Sequence, residues 1–301
     1  MLRALYVDLD GTLLGPGGSL LAGADGGFSL DAVRALQACS RAGVEVVIYS
    51  GRRQSSVAED ARLMGQRSYI FELGCGLVLD GELEWLTGGV VPSVQAGTIH
   101  EQIASSGAAQ LLLERFAGRL EYHLPWSEGR DVSHLFRGQV DALEVAAALE
   151  LEHGWLRLVD NGVLAAHGGH GAGGAGGTGG TGGAPGASPD PRTAFVGYGL
   201  DASLERVHAY HLIPAAASKA RAVARHMQNR GYRPEECIAC GDSREDMDAA
   251  EVLGSFWLMR NGLERDPSLA AEVTSRPRVR VSAEPFGAGV YEAVVTTLAG
   301  G

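Results

Sequence analysis

The sequence predicts an α/β protein built on a parallel sheet, with a smaller α+β domain inserted into it. Three observations lead there. Short, nearly unbroken apolar runs (2–9, 44–49 and 69–73) alternate with stretches of helical periodicity, the pattern of strands buried on both faces. The same rhythm resumes near the end of the chain. Between the two blocks the pattern changes to Ala-, Leu- and Glu-rich helices and shorter strands. The expected domains are 1–79 and 214–301 for the core and 80–213 for the insertion.

In chain order, the first strand runs straight into Asp10-Gly11-Thr12, and a glycine-rich loop follows over 15–27. Ser29 is the expected N-cap of a helix with Leu30, Val33 and Leu36 on one face. The β-branched run 44–49 ends at Ser50-Gly51-Arg52, and a helix over about 54–64 leads to the third strand. In the insertion, helices are expected near 93–106 and 139–152, and strands near 155–159 and 163–167. Asp160-Asn161-Gly162 between those two strands is a hairpin signal. The second core block offers a helical stripe at Ala220, Val223, Ala224 and Met227, and strands at 237–239 and 256–259. A helix over 246–253 falls between them, and a last one runs from about Gly289 to Leu298.

Composition bounds the function. The 301 residues carry a formal net charge of −11 without a basic run, which argues against nucleic acid or an anionic membrane as partner. No apolar stretch is long enough for a membrane span, and an early Asp8 does not suit a signal peptide. Four cysteines are too few for a disulfide scaffold, which suggests a cytoplasmic protein. Cys237 and Cys240 have CxxC spacing, but on a strand such residues point to opposite faces, so they read as core. Residues 168–186 contain 12 glycines in 19 positions and are expected to form a flexible loop; His167 and His170 beside it lack metal-binding partners. Of 25 basic residues only Lys219 is a lysine, which suggests a site needing a compact ammonium.

Four motifs fall at strand ends, where open parallel sheets bind ligands. Asp8 and Asp10 pair a nucleophilic carboxylate with a proton donor. Ser50-Gly51-Arg52 offers a hydroxyl and backbone N–H groups to phosphate oxygens. Ser218-Lys219 opens a helix with the lone lysine. In Gly241-Asp242-Ser243-Arg244-Glu245-Asp246, two carboxylates four apart can hold Mg²⁺.

Together these segments resemble the haloacid dehalogenase superfamily of phosphohydrolases. The likeness is to the branch with a cap between the second and third motifs (subfamily IIB: Cof-type, sucrose-phosphatase-like and mannosyl-3-phosphoglycerate phosphatase-like enzymes). The resemblance rests on DLDGTLL, SGR, the single lysine and GDSREDMDAA in that order, and on Phe286-Gly287-Ala288-Gly289-Val290 near the end. It implies a Rossmann-like core with a C2-type cap. It also implies that Asp8 attacks phosphorus while Asp10 serves as acid and then base. Thr12, Ser50, Gly51, Arg52 and Lys219 would contact phosphate. Mg²⁺ would sit on Asp8, the Asp10 carbonyl and Asp242, with Asp246 nearby or through water and Ser243 beside them, and Asn261 matches a common Asn after the next strand. The implied substrate is a small phosphorylated metabolite, a sugar phosphate or sugar-phosphoglycerate. A phosphosugar mutase on the same core and a non-catalytic binding protein are the alternatives. The chain departs from the family near the third strand, where Asn-Gly is common and this chain reads Glu72-Leu73-Gly74-Cys75-Gly76, and at Glu245, where Asn is common before the Asp.

Overall fold

The computed structural model describes residues 1–166 and 199–300, which form two compact units. One comprises 1–84 and 218–300, the other 85–166 and 199–217. The glycine-rich stretch 168–186 and its flanking histidines lie outside the described residues. No described helix is long and apolar enough to cross a membrane.

The strands are β1 (Ala4–Val7), β2 (Glu45–Tyr49), β3 (Tyr69–Phe71), β4 (Gly76–Leu79), β5 (Glu82–Trp85), β6 (Leu120–Tyr122), β7 (His134–Gly138), β8 (Leu156–Ala166), β9 (Arg206–Pro214), β10 (Cys237–Gly241), β11 (Ser255–Leu258) and β12 (Val279–Val281). The helices are α1 (Asp31–Ala42), α2 (Gln54–Leu63), α3 (Ile99–Ser105), α4 (Ala108–Arg115), α5 (Ala142–His153), α6 (Lys219–Arg230), α7 (Arg244–Met247), α8 (Arg260–Arg265), α9 (Leu269–Ser275) and α10 (Phe286–Ala299).

In the first unit eight strands form one sheet in the order β12-β11-β10-β1-β2-β3-β4-β5. Pairing is parallel from β12 to β3 and turns antiparallel between β3 and β4. The central strand β1 is wholly buried, as a strand covered by helices on both faces must be. Strand order reverses at β1, so a crevice forms beyond its carboxyl end. Sequence reading missed the β4–β5 hairpin, although Asp80-Gly81 carried its signal: both residues have positive φ, 51° and 96°. Cys237 and Cys240 lie in β10, buried and unpaired. The first helix begins one residue later than expected. Leu30 occupies the cap position, and the Ser29 hydroxyl accepts from the Asp31 N–H at 3.1 Å.

A polar cluster at the amino end of β2 anchors α6. Glu45 accepts from Arg230 Nη2 (2.7 Å) and from the Tyr232 hydroxyl (2.9 Å). The same guanidinium forks onto Asp80, and Tyr6 Oη lies 2.8 Å from His226 Nδ1. Burial raises the Glu45 carboxyl, but the His226 imidazole, Arg230 and Tyr232 outweigh it and hold the group at about 2. A depressed carboxylate stabilises the fold above its unfolded value of 4.5 and loses that contribution as pH falls towards 2. Glu45→Gln should therefore flatten the fall in melting temperature across that window. A variant that still loses stability as steeply as the parent would show that acid sensitivity arises elsewhere.

The second unit is a four-stranded antiparallel sheet, order β6-β7-β9-β8, with α3, α4 and α5. Thr98 and Glu101 form a capping box at the start of α3, and the Asp141 side chain caps α5. The expected hairpin at Asp160-Asn161-Gly162 does not form. Strand β8 runs continuously through it and pairs with β9, with the register shifting between Asp160 and Val163. Gly162 takes φ +102° and donates its N–H to Asp160 Oδ1 at 2.8 Å. The turn-forming residues make a bulge, because β9 offers a partner on both sides of it.

Candidate active site

Asp8 follows β1 directly, and its N–H extends the ladder to the Cys240 carbonyl at 3.1 Å. The chain then folds back tightly: the Leu13 N–H reaches the Asp8 carbonyl and the Leu14 N–H the Leu9 carbonyl. Gly11 makes this possible with φ +79°. A Cβ there would lie 1.9 Å from Asp242 Oδ2, so only glycine lets this loop approach the end of β10.

Lys219 is the first residue of α6, behind Ser218, whose hydroxyl accepts from the Arg221 N–H at 3.1 Å. The lysine is 1% exposed. Its Nζ donates to Asp8 Oδ1 at 2.9 Å and to Asp246 Oδ1 at 2.6 Å, and sits 4.9 Å from the centre of the Tyr49 ring. Burial works against this charge, yet the Asp246 and Asp8 carboxylates outweigh it and raise the lysine's pKa. The ammonium is therefore permanent at neutral pH. Asp8 is pushed the other way from a usual carboxylate: burial, together with Asp246 and Asp242, raises it against the pull of Lys219.

Asp246 is locked in place by its second oxygen, which accepts from the Ser243 hydroxyl (2.6 Å) and from the Ser243 and Asp242 N–H groups. Ser243 thus caps α7 and orients Asp246. Asp8, Asp242 and Asp246 each present an oxygen within 4.8 Å of the others. All three are buried, and a hard, oxygen-seeking cation fits such a set. Asn261 spans two loops, donating to the Gly11 carbonyl (2.8 Å) and accepting from the Phe286 N–H (2.9 Å). It therefore holds the Asp8 loop in shape. The Thr12 hydroxyl is buried without a partner among the described residues.

Arg52 departs from expectation. Its Nε and Nη2 fork onto Asp10 at 2.7 and 2.5 Å, and Nη1 reaches Asp60 at 2.9 Å. The guanidinium thus stands beside Asp10, held by two carboxylates. Ser50 is buried at the end of β2, its hydroxyl accepting from the Arg52 N–H at 3.3 Å, and Gly51 is buried next to it.

Sequence reading missed Arg265, whose Nη2 donates to Asp242 Oδ2 at 2.6 Å. The signal was its position four residues after Asn261, on the same face of α8. It also missed the Tyr49 ring beneath the ammonium.

No sequence-family model matches this chain, and no curated protein does. Solved structures do. The sucrose-phosphatase of Synechocystis sp. PCC6803, solved with sucrose and phosphate, is 14% identical with a TM-score of 0.59, covering 99% of this chain and 98% of that one. A Bacteroides thetaiotaomicron protein studied among phosphatases of the haloalkanoate (HAD) enzyme superfamily is 16% identical, with a TM-score of 0.58 and coverage of 99% and 95%. A haloacid dehalogenase-like hydrolase from the same organism is 14% identical, with a TM-score of 0.56 and coverage of 98% and 99%. Over its described residues, the chain has the fold of the haloacid dehalogenase superfamily.

Proposed function

We propose that the protein is a Mg²⁺-dependent phosphatase that hydrolyses a small phosphomonoester, a sugar phosphate or sugar-phosphoglycerate, through an aspartyl-phosphate intermediate. The observation that carries this reading is the buried ammonium of Lys219 between Asp8 and Asp246 at the end of β1. The similarity in fold to a sucrose-phosphatase supports the sugar class.

In this reading Asp8 forms a bond from its oxygen to phosphorus as the ester P–O bond breaks. Asp10 gives its proton to the leaving oxygen, then takes one from the water that releases phosphate from Asp8. Lys219 keeps Asp8 aligned, pulls it towards the ionised form against its burial, and meets the negative charge of the phosphoryl group. Ser50, Gly51 and Thr12 supply uncharged donors to its oxygens. Asp8, Asp242 and Asp246, with the Asp10 carbonyl, would hold Mg²⁺, and the cation would offset phosphoryl charge. Both Asp10 oxygens are taken by Arg52 in the state described, so proton donation requires that fork to open.

The test is phosphate release from an aryl phosphate and a panel of sugar phosphates, with Mg²⁺ or with chelator. Metal-dependent release, fastest on a sugar phosphate, is expected. Transfer between sugar phosphates with little release would instead assign a mutase, and no turnover of any ester would overturn the enzymatic reading.

A further inference from the structure

The carboxylates of the proposed metal site already have cations of their own. Lys219 bonds to Asp8 and Asp246. Asp242 is served by Arg265, whose Nη2 lies 2.6 Å from Oδ2 and 3.4 Å from the Asp242 carbonyl. The guanidinium also lies close to the Asp8 loop, since the Cβ position on Gly11 falls 3.4 Å from Arg265 Nη1 as well as 1.9 Å from Asp242 Oδ2. Asn261, one turn earlier on α8, is bonded to the Gly11 carbonyl and fixes the helix against that loop.

We propose that Arg265 is the resident counter-cation of the Asp8–Asp242–Asp246 cluster, competing with a divalent cation for Asp242 and weakening its affinity. This rests on the metal reading above. A divalent cation bound beside Asp242 meets a full positive charge held against the same carboxylate. That repulsion lowers affinity whichever Asp242 oxygen the metal uses, and it acts over a distance too short for salt to screen. Arg265 is 29% exposed at its side chain against 5% for Asp242, so it has a path outward on displacement. Without metal the same contact offsets the repulsion among three buried carboxylates. The arginine thus stabilises the carboxylate cluster by itself and makes cation binding depend on the free cation concentration.

The experiment is a calorimetric titration of the full chain with Mg²⁺ alone, paired with melting temperatures in chelator and in Mg²⁺. Arg265→Gln should bind Mg²⁺ about tenfold more tightly or better. It should also melt lower than the parent in chelator and recover more on adding Mg²⁺. Arg265→Lys, which keeps the charge, should remain closer to the parent. Arg260→Gln serves as the control, because Arg260 pairs with Glu264 at 3.2 Å, away from the cluster, and should leave the affinity unchanged. Equal or weaker binding by Arg265→Gln, in a parent that does bind Mg²⁺, overturns the assignment of Arg265 alone. A matching gain in Arg260→Gln also overturns it, by showing a general charge effect. If neither parent nor variant binds Mg²⁺, the metal reading fails and takes this proposal with it.

Discussion

Asp8→Asn is expected to reduce phosphate release by about 10⁴-fold or more while leaving a folded protein. The carboxamide has nearly the shape of the carboxylate but lacks its nucleophilic charge. Folding should survive because the substitution keeps the volume and removes a charge whose burial is unfavourable. Lys219 retains Asp246 as a partner at 2.6 Å. The measurement is kcat on an aryl phosphate and on the best sugar phosphate of the panel, with a thermal melt beside it. Activity within a few-fold of the parent would remove Asp8 from the mechanism.

The second large effect is expected at Lys219. Lys219→Arg keeps the charge, yet kcat should fall by about 10²–10³-fold, the scale of losing one aligned electrostatic group. A guanidinium is planar and larger, and the ammonium occupies a point between two carboxylates and the Tyr49 ring, at 1% exposure. Lys219→Met should behave differently. It leaves Asp8 and Asp246 buried without their cation, at a cost of about 3–5 kcal/mol in stability. Reduced kcat with a near-normal melt for Arg, against a lowered melt for Met, separates position from charge. Near-normal turnover in Lys219→Arg would make the single lysine an accident of composition.

Much of this was legible in the sequence because the physics is local. The buried strands of a parallel sheet announce themselves as apolar runs, and β1, β2, β3, β10 and β11 all lie where such runs stand. Asp8, Lys219, Asp242 and Asp246 were each visible as polar residues at strand or helix ends, and the fold brings them together. What was not legible depends on partners distant in the chain. The Asp160-Asn161-Gly162 turn signal becomes a bulge because β9, more than forty residues on, pairs along both halves of β8. The fork of Arg52 onto Asp10 joins residues 42 apart, and no local pattern distinguishes it from a phosphate-binding arginine. Arg265 is one of 24 arginines and meets Asp242 only through the docking of α8. Leu73 is instructive in the other direction: it sits at φ +58°, a left-handed position that Asn tolerates better than Leu.

The proposed phosphatase chemistry stands on a covalent intermediate at Asp8, and Asp10→Asn should trap it. An aryl phosphate has a good leaving group and needs little acid assistance, whereas release of phosphate from Asp8 needs a base to activate water. The variant should therefore accumulate the intermediate. After incubation with an aryl phosphate and Mg²⁺ and an acid quench, peptide mass spectrometry should find a hydroxylamine-sensitive phosphoryl group on Asp8. Stoichiometric aryl alcohol should appear in a burst. Steady turnover without a burst, or a phosphoryl group on a residue other than Asp8, would rule out Asp8 as the nucleophile.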